Sequence, residues 1–480
     1  MDDVAACAVF EPSGLTRTEH DSVGAIELPE AAYYGVHTLR AVENFPITGR
    51  AMHPALTDNI VRIKRAAARA NAEAGVLAVD VAEAIERACD EVLSGALRDQ
   101  FIVDQIQGGA GTSANMNANE VIANRALELM GHKKGDYARV HPNDHVNLGQ
   151  STNDVYPTAG RMTAYQLLGG LEAALSWLCE ALRIKSVEFD DVVKMGRTQL
   201  EDAVPVRLGQ SFAAYESVLR RDLARIGAAR RALCEVNLGG TAIGTALNAA
   251  PAYLERVLPI LSAQTGIPLT RARDMIDATQ NTDAFTAASG VLKTCALNLS
   301  KIASDLRLLS SGPRTGIGEI VLPARQNGSS IMPGKINPVI PEVVNQVAFV
   351  VAGNDVTIAM ASEAGQLELN AFEPVMFCRL FESIECLAHA ADTFEKHCVS
   401  GITVNREHCL ELVRHSAGLV TALCPVLGYV KAAEIAKEAL RTGRPIADVV
   451  QARTGLPAEE IEAMLDLRAM TEMARVYSPA

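Results

Sequence analysis

The feature that most constrains the fold is a stripe of apolar residues, three or four positions apart, between Val206 and Val236. This spacing places them on one face of an α-helix. The stripe consists of Leu208, Phe212, Tyr215, Leu219, Leu223, Ile226, Ala229 and Leu233. Similar Ala- and Leu-rich runs cover roughly 158–190, 285–311 and 341–400. Each run exceeds the mean globular helix of about 11–12 residues. The sequence therefore predicts a mainly all-α fold around a long central helical bundle.

Breaks in this helical pattern divide the chain into three predicted domains. These are an N-terminal domain (1–152), a central long-helix bundle (153–403) and a small C-terminal helical domain (404–480). A helix of about 30 residues runs about 45 Å, which is longer than a compact monomer comfortably covers. We therefore expect the long helices to pack against other subunits in a homo-oligomer, and the alternative is a long monomeric bundle. Two short stretches, Val192-Val193 and 236–247, are the only ones whose residues suggest extended structure.

Composition and charge exclude several classes of function. Hydrophobic residues make up 49% of the 480 residues and charged residues 21%, which is typical of a globular protein. The chain has 44 Lys plus Arg against 57 Asp plus Glu, a formal charge of −13. This balance argues against nucleic acid or an anionic membrane as the main partner. A local site can still bind a small anion.

The cysteines and the N-terminus favour a soluble, cytoplasmic protein. None of the ten cysteines forms a C-x-x-C pair, and scattered thiols in a large acidic chain are typical of a reduced compartment. The sequence begins Met1-Asp2-Asp3 and shows neither the basic region nor the apolar region that a secretory signal peptide would have. No apolar stretch is expected to reach the roughly 20 residues of a membrane span.

The most informative polar segment runs from Gly328 to Pro338. It is not a P-loop, because five residues separate Gly328 from Gly334-Lys335 and Ile336 stands where a magnesium-binding hydroxyl is needed. Asn337 and Pro338 suit the N-cap and first position of a following helix. The helix N-terminus and Lys335 together are the components of an anion site. A polar helix-capping loop without chemistry is the alternative.

Three further polar segments share this character, at Gly108–Asn119, Gly149–Thr158 and Gly196–Pro205. Each also has a purely structural interpretation: a capping box for Asn117 and Glu120, a helix N-cap for 150–154, and a capped connection for 196–205. Together the four segments supply many neutral donors and one cation. A pocket built from them suits a small polyanion such as a dicarboxylate.

Two other motifs carry weaker signals. His141 and His145 are four positions apart, but Pro142 and Asn143 indicate a loop rather than the helix a zinc site would use, so we predict no metal site. Gly239-Gly240 lacks the strand and spacing of a dinucleotide fingerprint and is interpreted as a turn.

These four segments, in this order, closely resemble the aspartase/fumarase superfamily. The segment Gly328–Pro338 is similar to its signature loop. Gly-Thr-Ser-x-Asn-Met-Asn (111–117), Gly-Gln-Ser-Thr-Asn-Asp (149–154) and Gly-Arg-Thr-Gln-Leu-x-Asp-Ala-Val-Pro (196–205) are similar to its other three regions. The resemblance runs from Tyr34-Gly-Val-His-Thr-Leu-Arg40 to about Thr403 and is weaker over 404–480. The resemblance is closest to the aspartate ammonia-lyases. It implies that this chain forms a homotetramer with sites shared between subunits.

The resemblance implies conversion of L-aspartate to fumarate and ammonia through an aci-carboxylate, without a cofactor. Ser329 would be the base. The reacting carboxylate would be held by Thr112, Ser151, Thr152 and Ser330, the other carboxylate by Thr198, Lys335 and Asn337, and the amino group would lie near Asn153 and Gln199. Met332 completes the expected substrate-binding set. His141–Asp144 resembles a secondary anion loop of fumarases and is placed outside the active site.

Gln199 distinguishes between activities in this superfamily, because fumarases and some aspartases resemble this motif but carry histidine there. Glutamine cannot titrate, so it favours ammonia over hydroxide as the leaving group. Glu342 is either a partner of the site or a charge that compensates the helix dipole. The alternatives are fumarate hydratase, another family lyase acting on a substituted aspartate, a catalytically silent helical scaffold, and a nucleotide-binding protein.

Overall fold

The structure, a computed structural model, describes residues 14–472. The helices in this range are α1 (Val36–Asn44), α2 (Pro54–Glu73), α3 (Val79–Leu93), α4 (Thr112–Leu129), α5 (Thr152–Glu188), α6 (Leu208–Ala232), α7 (Pro251–Thr265), α8 (Met275–Gln280), α9 (Asp283–Leu309), α10 (Val339–Glu363), α11 (Glu373–His397), α12 (Arg406–His415), α13 (Cys424–Leu427), α14 (Tyr429–Thr442), α15 (Ile446–Thr454) and α16 (Ala458–Met464). The strands are β1 (Thr16–Asp21), β2 (Gly24–Pro29), β3 (Val193–Thr198), β4 (Glu201–Arg207), β5 (Glu235–Val236), β6 (Thr270–Arg271), β7 (Ile320–Val321) and β8 (Thr403–Val404).

Five long helices confirm the mainly all-α prediction. The longest, α5, has 37 residues, α9 has 27, and α6, α10 and α11 have 25 each. The stripe predicted between 206 and 236 forms α6. The run predicted over 341–400 is two helices, α10 and α11, separated by residues 364–372. The Asn370 amide donates to the Ala361 carbonyl at 2.9 Å, which satisfies a backbone group at the end of α10.

The sequence patterns missed the first of two antiparallel hairpins and indicated only the start of the second, since β3 begins in the expected extended piece Val192-Val193. β1 pairs with β2, and β3 pairs with β4 with an irregularity between Met195 and Arg197. The segment 196–205, interpreted as a possible capped connection, belongs to the second hairpin. Gly196 allows the close strand approach there, since a Cβ atom would lie 2.7 Å from the Val204 carbonyl oxygen. The extended piece expected over 236–247 is limited to β5, which pairs in parallel with β6 and is followed by turns.

The chain divides into two compact units. Within residues 14–472, unit 1 comprises 14–172, 225–294 and 349–387. Here α2 packs against α3 and α7, and α3 packs against α4. The face of α2 that carries Ile60 and Ile63 is completely buried, as the apolar spacing of the helix requires.

Unit 2 comprises 173–224, 295–348 and 388–472. Its C-terminal helices form their own hydrophobic cluster with Met195 of β3. The other fully or nearly buried members of this cluster are Val413, Leu419, Leu423, Ile435, Ala439, Ile446, Val449, Val450 and Ile461. α12 packs on β3, so the hairpin is tied to the C-terminal region. The three-domain division remains a prediction.

One helix in the described range, α10, is long and apolar enough by length and composition to cross a membrane. The expectation that no such stretch exists is therefore wrong on these two criteria. Core helices of soluble proteins pass the same test, and 39% of its most apolar window is buried. The predictions about the N-terminal signal and Cys7 concern residues outside the described range.

Candidate active site

The polar segment before α4 is shaped by Gly111. Its φ is +86°, in the left-handed region, and a Cβ atom there would lie 2.5 Å from the Tyr156 ring. Both constraints favour glycine. α4 begins at the next residue, Thr112, so this predicted substrate ligand lies in the first helical turn.

The capping box proposed for Asn117 and Glu120 is wrong, because both residues lie inside α4. The Glu120 carboxylate instead accepts the backbone N–H groups of Gly35 and His37, each at 2.9 Å, at the start of α1. Glu120 is buried, and this burial raises its pKa to about 7. It therefore serves to hold α1 against α4.

The segment 149–154 is the N-terminal cap of α5, as predicted. The Ser151 N–H donates to Asp154 Oδ1 at 3.0 Å, and the Asn153 N–H donates to Ser151 Oγ at 3.2 Å. Asp154 is completely buried, and its Oδ2 accepts the N–H groups of Gly239 and Thr241, each at 3.0 Å. Burial raises the pKa of Asp154 to about 6, although these hydrogen bonds oppose the rise.

Pro157 lies inside α5 and has no N–H for the carbonyl four residues earlier. That carbonyl belongs to Asn153, and Asn237 Nδ2 donates to it at 2.9 Å. The Asn153 side chain donates in turn to the Ala242 carbonyl at 2.8 Å. The loop after β5 therefore completes the first turn of α5.

The segments at 111–119 and 149–154 meet within unit 1. Asn115 Nδ2 donates to Thr152 Oγ1 at 3.1 Å. A cavity of about 790 Å³ opens beside Thr112, and its lining includes His37 and Arg40. Burial lowers the pKa of His37, so this side of the cavity combines a neutral imidazole with a guanidinium.

In unit 2, Gln199 and Leu200 form the turn of the β3–β4 hairpin, with φ values of +56° and +68°. Positive φ at both central residues is the geometry of a type I′ hairpin turn, which usually selects Asn or Gly. Strand β3 of the hairpin is fixed by Glu319, which is fully buried and pairs with Arg197 near the turn at 2.8 Å and with Lys194 near the base at 3.1 Å. Thr198 and Gln199 thus stand at the end of an anchored hairpin.

The loop 328–338 is closed by its own ends. The Gly328 N–H donates to the Lys335 carbonyl at 2.8 Å, and Asn337 Nδ2 donates to the Gly328 carbonyl at 2.7 Å. α10 begins at Val339, so the prediction that Asn337 caps this helix through its side chain is wrong. The amide instead holds the two ends of the loop together.

The Ser329 hydroxyl is a hydrogen-bond acceptor within its own loop. Its Oγ accepts the backbone N–H groups of Ile331 at 3.2 Å and Met332 at 3.0 Å. Two N–H dipoles directed at one oxygen stabilise negative charge on it. Ser330, Met332 and Lys335 are exposed on the same loop. A cavity of about 720 Å³ is lined by Lys335, Asn337 and Glu342 among others.

Comparison with known proteins identifies the family. Residues 24–353, more than half of the chain, match the family model described as Lyase, and 419–472 match the model Fumarase C C-terminus. The chain belongs to the aspartase/fumarase superfamily of lyases. An aspartate ammonia-lyase of Bacillus sp is 52% identical over 95% of this chain and 97% of its own length. That of Pseudomonas aeruginosa is 54% identical over 92% of this chain and 94% of its own length.

Solved structures agree with this assignment. A fumarate lyase:delta crystallin from Brucella melitensis, bound to cobalt, superposes with a TM-score of 0.93 at 50% identity, covering 96% of this chain and 100% of that one. A class II fumarase from Schistosoma mansoni gives a TM-score of 0.91 at 35% identity, covering 95% and 99%. The resemblance inferred from the motifs is confirmed.

The predicted site residues of this lyase fall into two sets. Unit 1 contains Thr112, Ser151, Thr152 and Asn153. Unit 2 contains Thr198, Gln199, Ser329, Ser330, Met332, Lys335 and Asn337. Residues 112 and 151–153 lie at the starts of helices and residues 198–199 at a hairpin turn, which are rigid positions for binding groups, whereas residues 329–335 lie in the loop before α10. Their assignment to a substrate remains a prediction.

The histidine pair of this lyase is part of a π-helical turn, Pro142–Val146. His141 Nδ1 accepts the backbone N–H of Asn143 at 3.1 Å, and His145 Nδ1 accepts that of His141 at 2.7 Å. The two Nδ1 atoms, one from each histidine, therefore stabilise the backbone of this turn. Within residues 14–472, no group of three or more His, Cys, Asp or Glu side chains has the arrangement of a metal site.

Sequence reasoning missed Lys64, a completely buried residue of α2 whose ammonium reaches the 149–154 segment. Its signal was present, because Lys64 follows Ile60 by four positions and precedes Ala67 by three, on the apolar face of an amphipathic helix. A lysine in such a stripe must find buried partners. His37 and Arg40 were quoted for the resemblance but were given no role.

Proposed function

We propose that this lyase is an aspartate ammonia-lyase that interconverts L-aspartate with fumarate and ammonia. The relatives named aspartate ammonia-lyase match it at 50–54% identity over nearly the whole chain. Within the chain, the observation that carries the proposal is the pair of N–H groups on Ser329 Oγ. A serine is a weak base unless its anion is stabilised, and these donors supply that stabilisation.

The Ser329 hydroxyl first releases its proton to solvent, and the resulting alkoxide takes a proton from C3, the carbon next to one carboxylate, and becomes a hydroxyl again. The C–H electron pair moves into that carboxylate, which becomes a doubly charged aci-carboxylate. Thr112, Ser151, Thr152 and Ser330 donate hydrogen bonds to it. Because the extra charge exists only after proton removal, these bonds strengthen as the barrier is crossed, and that difference accelerates the reaction.

In the second step the aci-carboxylate collapses, the C2–N bond breaks and ammonia departs with the bonding pair. Thr198, Lys335 and Asn337 hold the carboxylate that does not react, and Asn153 and Gln199 contact the amino group. Gln199 can hydrogen-bond an amine but cannot protonate a departing hydroxide. The expected preference is therefore for ammonia over water.

We also propose a soluble, cytoplasmic homotetramer with sites shared between subunits. The support within the chain is α10, where Phe349 and Met360 are each 68% exposed and Val356 is 58% exposed. Rings and methyl groups exposed in a row favour contact with another protein surface. In this proposal α10 is an interface helix and not a membrane span.

The decisive experiment supplies the purified protein with L-aspartate or L-malate and follows the ultraviolet absorbance of fumarate. We expect rapid fumarate formation from aspartate and little from malate. Rapid turnover of malate alone would establish fumarate hydratase instead. Turnover of neither substrate would reject the proposed reaction and favour a lyase for a substituted aspartate or a silent scaffold.

A further inference from the structure

Lys64 is the start of a hydrogen-bond chain that ends at Thr152. Its side chain is completely buried, and Nζ donates to Asn147 Oδ1 at 2.7 Å and to Gln150 Oε1 at 3.0 Å. Nζ has three N–H groups as an ammonium and two as a neutral amine, so in either form it can donate to both amides. Both amides must therefore turn their oxygen atoms towards Lys64.

The orientation of Asn147 fixes the next residue. Its Oδ1 also accepts hydrogen bonds from Asn115 Nδ2 at 3.2 Å and Asn119 Nδ2 at 3.3 Å. Asn115 and Asn119 must therefore present their nitrogens to Asn147. Their own Oδ1 atoms are buried without a hydrogen-bond partner. Such unpaired oxygens are unfavourable, which indicates that the orientation is imposed by the lysine side of the network.

The last step sets the direction of the Thr152 hydroxyl. Asn115 Nδ2 has two hydrogens, and besides Asn147 it donates to Thr152 Oγ1 at 3.1 Å. The Thr152 oxygen is therefore an acceptor on this side. Within residues 14–472, the structure provides no acceptor for its own proton. That proton remains available for a ligand.

We propose that Lys64 is a positioning residue that, through Asn147 and Asn115, keeps the Thr152 hydroxyl as a donor for a carboxylate of the ligand. We refer to these four residues as the polarity relay. The inference rests on the proposed function, because it takes a dicarboxylate as the ligand. The relay explains why α2 keeps a lysine on its buried face, where an apolar residue would pack without loss of solvation.

The test is a double-mutant cycle between the two ends of the relay. Lys64→Met, Thr152→Val and the double variant are compared with wild type for the Kd of succinate, measured by calorimetry, and for the KM of aspartate. Succinate is a dicarboxylate that has no amino group to eliminate and therefore reports binding without the reaction. We expect Lys64→Met to weaken succinate binding at least fivefold in wild type but less than twofold when Thr152 is already Val, because coupled residues are not additive.

Lys185→Met is the matched control. Lys185 is also buried, and its Nζ donates to the Ile402 carbonyl at 2.9 Å and to Glu188 at 2.8 Å, outside the relay. We expect this variant to bind succinate like wild type. Should Lys64→Met not fold, Asn147→Leu interrupts the same relay one step later and is expected to show the same dependence on Thr152.

The outcomes separate the two proposals. Equal weakening by Lys64→Met in both backgrounds, no weakening in wild type, or no succinate binding by wild type overturns the relay. Coupled weakening of succinate binding supports it. If that coupling is found while wild type does not convert aspartate, the proposed reaction fails and the relay stands.

Discussion

Two polar loops precede long helices in this lyase, and the protein holds them very differently. The loop 149–154 is bound by a buried carboxylate, a buried lysine and the loop after β5. The loop 328–338 is closed by two bonds between its ends, and Ile331 at its tip is 83% exposed. We expect the first to be a preformed part of the proposed site. We expect the second to be the segment that moves when a ligand arrives and then excludes water.

Removal of the Ser329 hydroxyl is expected to give the largest effect and to separate chemistry from stability. Ser329→Ala removes the proposed base, so kcat should fall by about 10²–10⁴-fold. Because the residue lies on a weakly held loop, the free energy of unfolding should change by less than about 0.5 kcal/mol. Steady-state kinetics and urea unfolding measure both quantities. A kcat near that of wild type would contradict the role of serine as base.

Two matched glycine substitutions sharpen the comparison. In Gly111→Ala the new Cβ would lie 2.5 Å from the buried Tyr156 ring, so unfolding should become easier by about 1–3 kcal/mol. In Gly328→Ala it would lie 2.5 Å from the Lys335 carbonyl oxygen, so the loop should shift and kcat/KM should fall by about 10²-fold. Gly170→Ala, with no atom within 4 Å of its Cβ, is the control.

Each glycine should thus affect a different measurement, unfolding for Gly111 and kinetics for Gly328. An equal loss of stability in both variants would mean that the 328–338 loop is as firmly held as the contact between Gly111 and Tyr156 in the first turns of α5, and the contrast between these two regions would be wrong.

The last expected effect is a pH dependence of the folding stability that arises from the buried lysine. Burial lowers the pKa of Lys64 from 10.5 to about 7, and Asp154 on α5 and Cys89 on α3 partly offset it. Between about pH 7 and pH 10.5, Lys64 is protonated in the unfolded chain but mostly neutral in the folded chain. Unfolding therefore takes up a proton, and folding becomes more favourable as pH rises. Relative to Lys64→Met, wild type should gain up to about 1.4 kcal/mol per pH unit. Urea unfolding at pH 7, 8 and 9 measures this gain, and a flat difference would contradict it.

Local periodicity was sufficient to predict the long helices, because the apolar stripe of α6 can be recognised from the residues of that helix alone. The hairpins were not recognisable in this way. In β1 the less exposed positions carry the charged Arg17, Glu19 and Asp21, and β4 begins with the exposed Glu201 and Asp202, so neither strand shows an alternation of apolar and polar residues in its sequence. Their pairing depends on partner strands and, for β3, on the C-terminal cluster that packs around Met195.

The polar segments of the site were found because each concentrates hydroxyls and amides in a short stretch. Their internal geometry was less accessible. Asn337 looks like a helix cap in sequence, yet its amide closes the loop on Gly328, nine positions earlier. Lys64 was missed because its partners, Asn147 and Gln150, are more than eighty positions away. Contacts of that range are decided by packing and not by local preference.

The first turn of α5 has a consequence for how the protein is made. Pro157 leaves the Asn153 carbonyl to Asn237, and Asp154 depends on N–H groups of residues 239 and 241. During translation these partners leave the ribosome more than eighty residues after Asp154. The remainder of α5 can coil as soon as it emerges, but its beginning stays unfinished until the later segment returns.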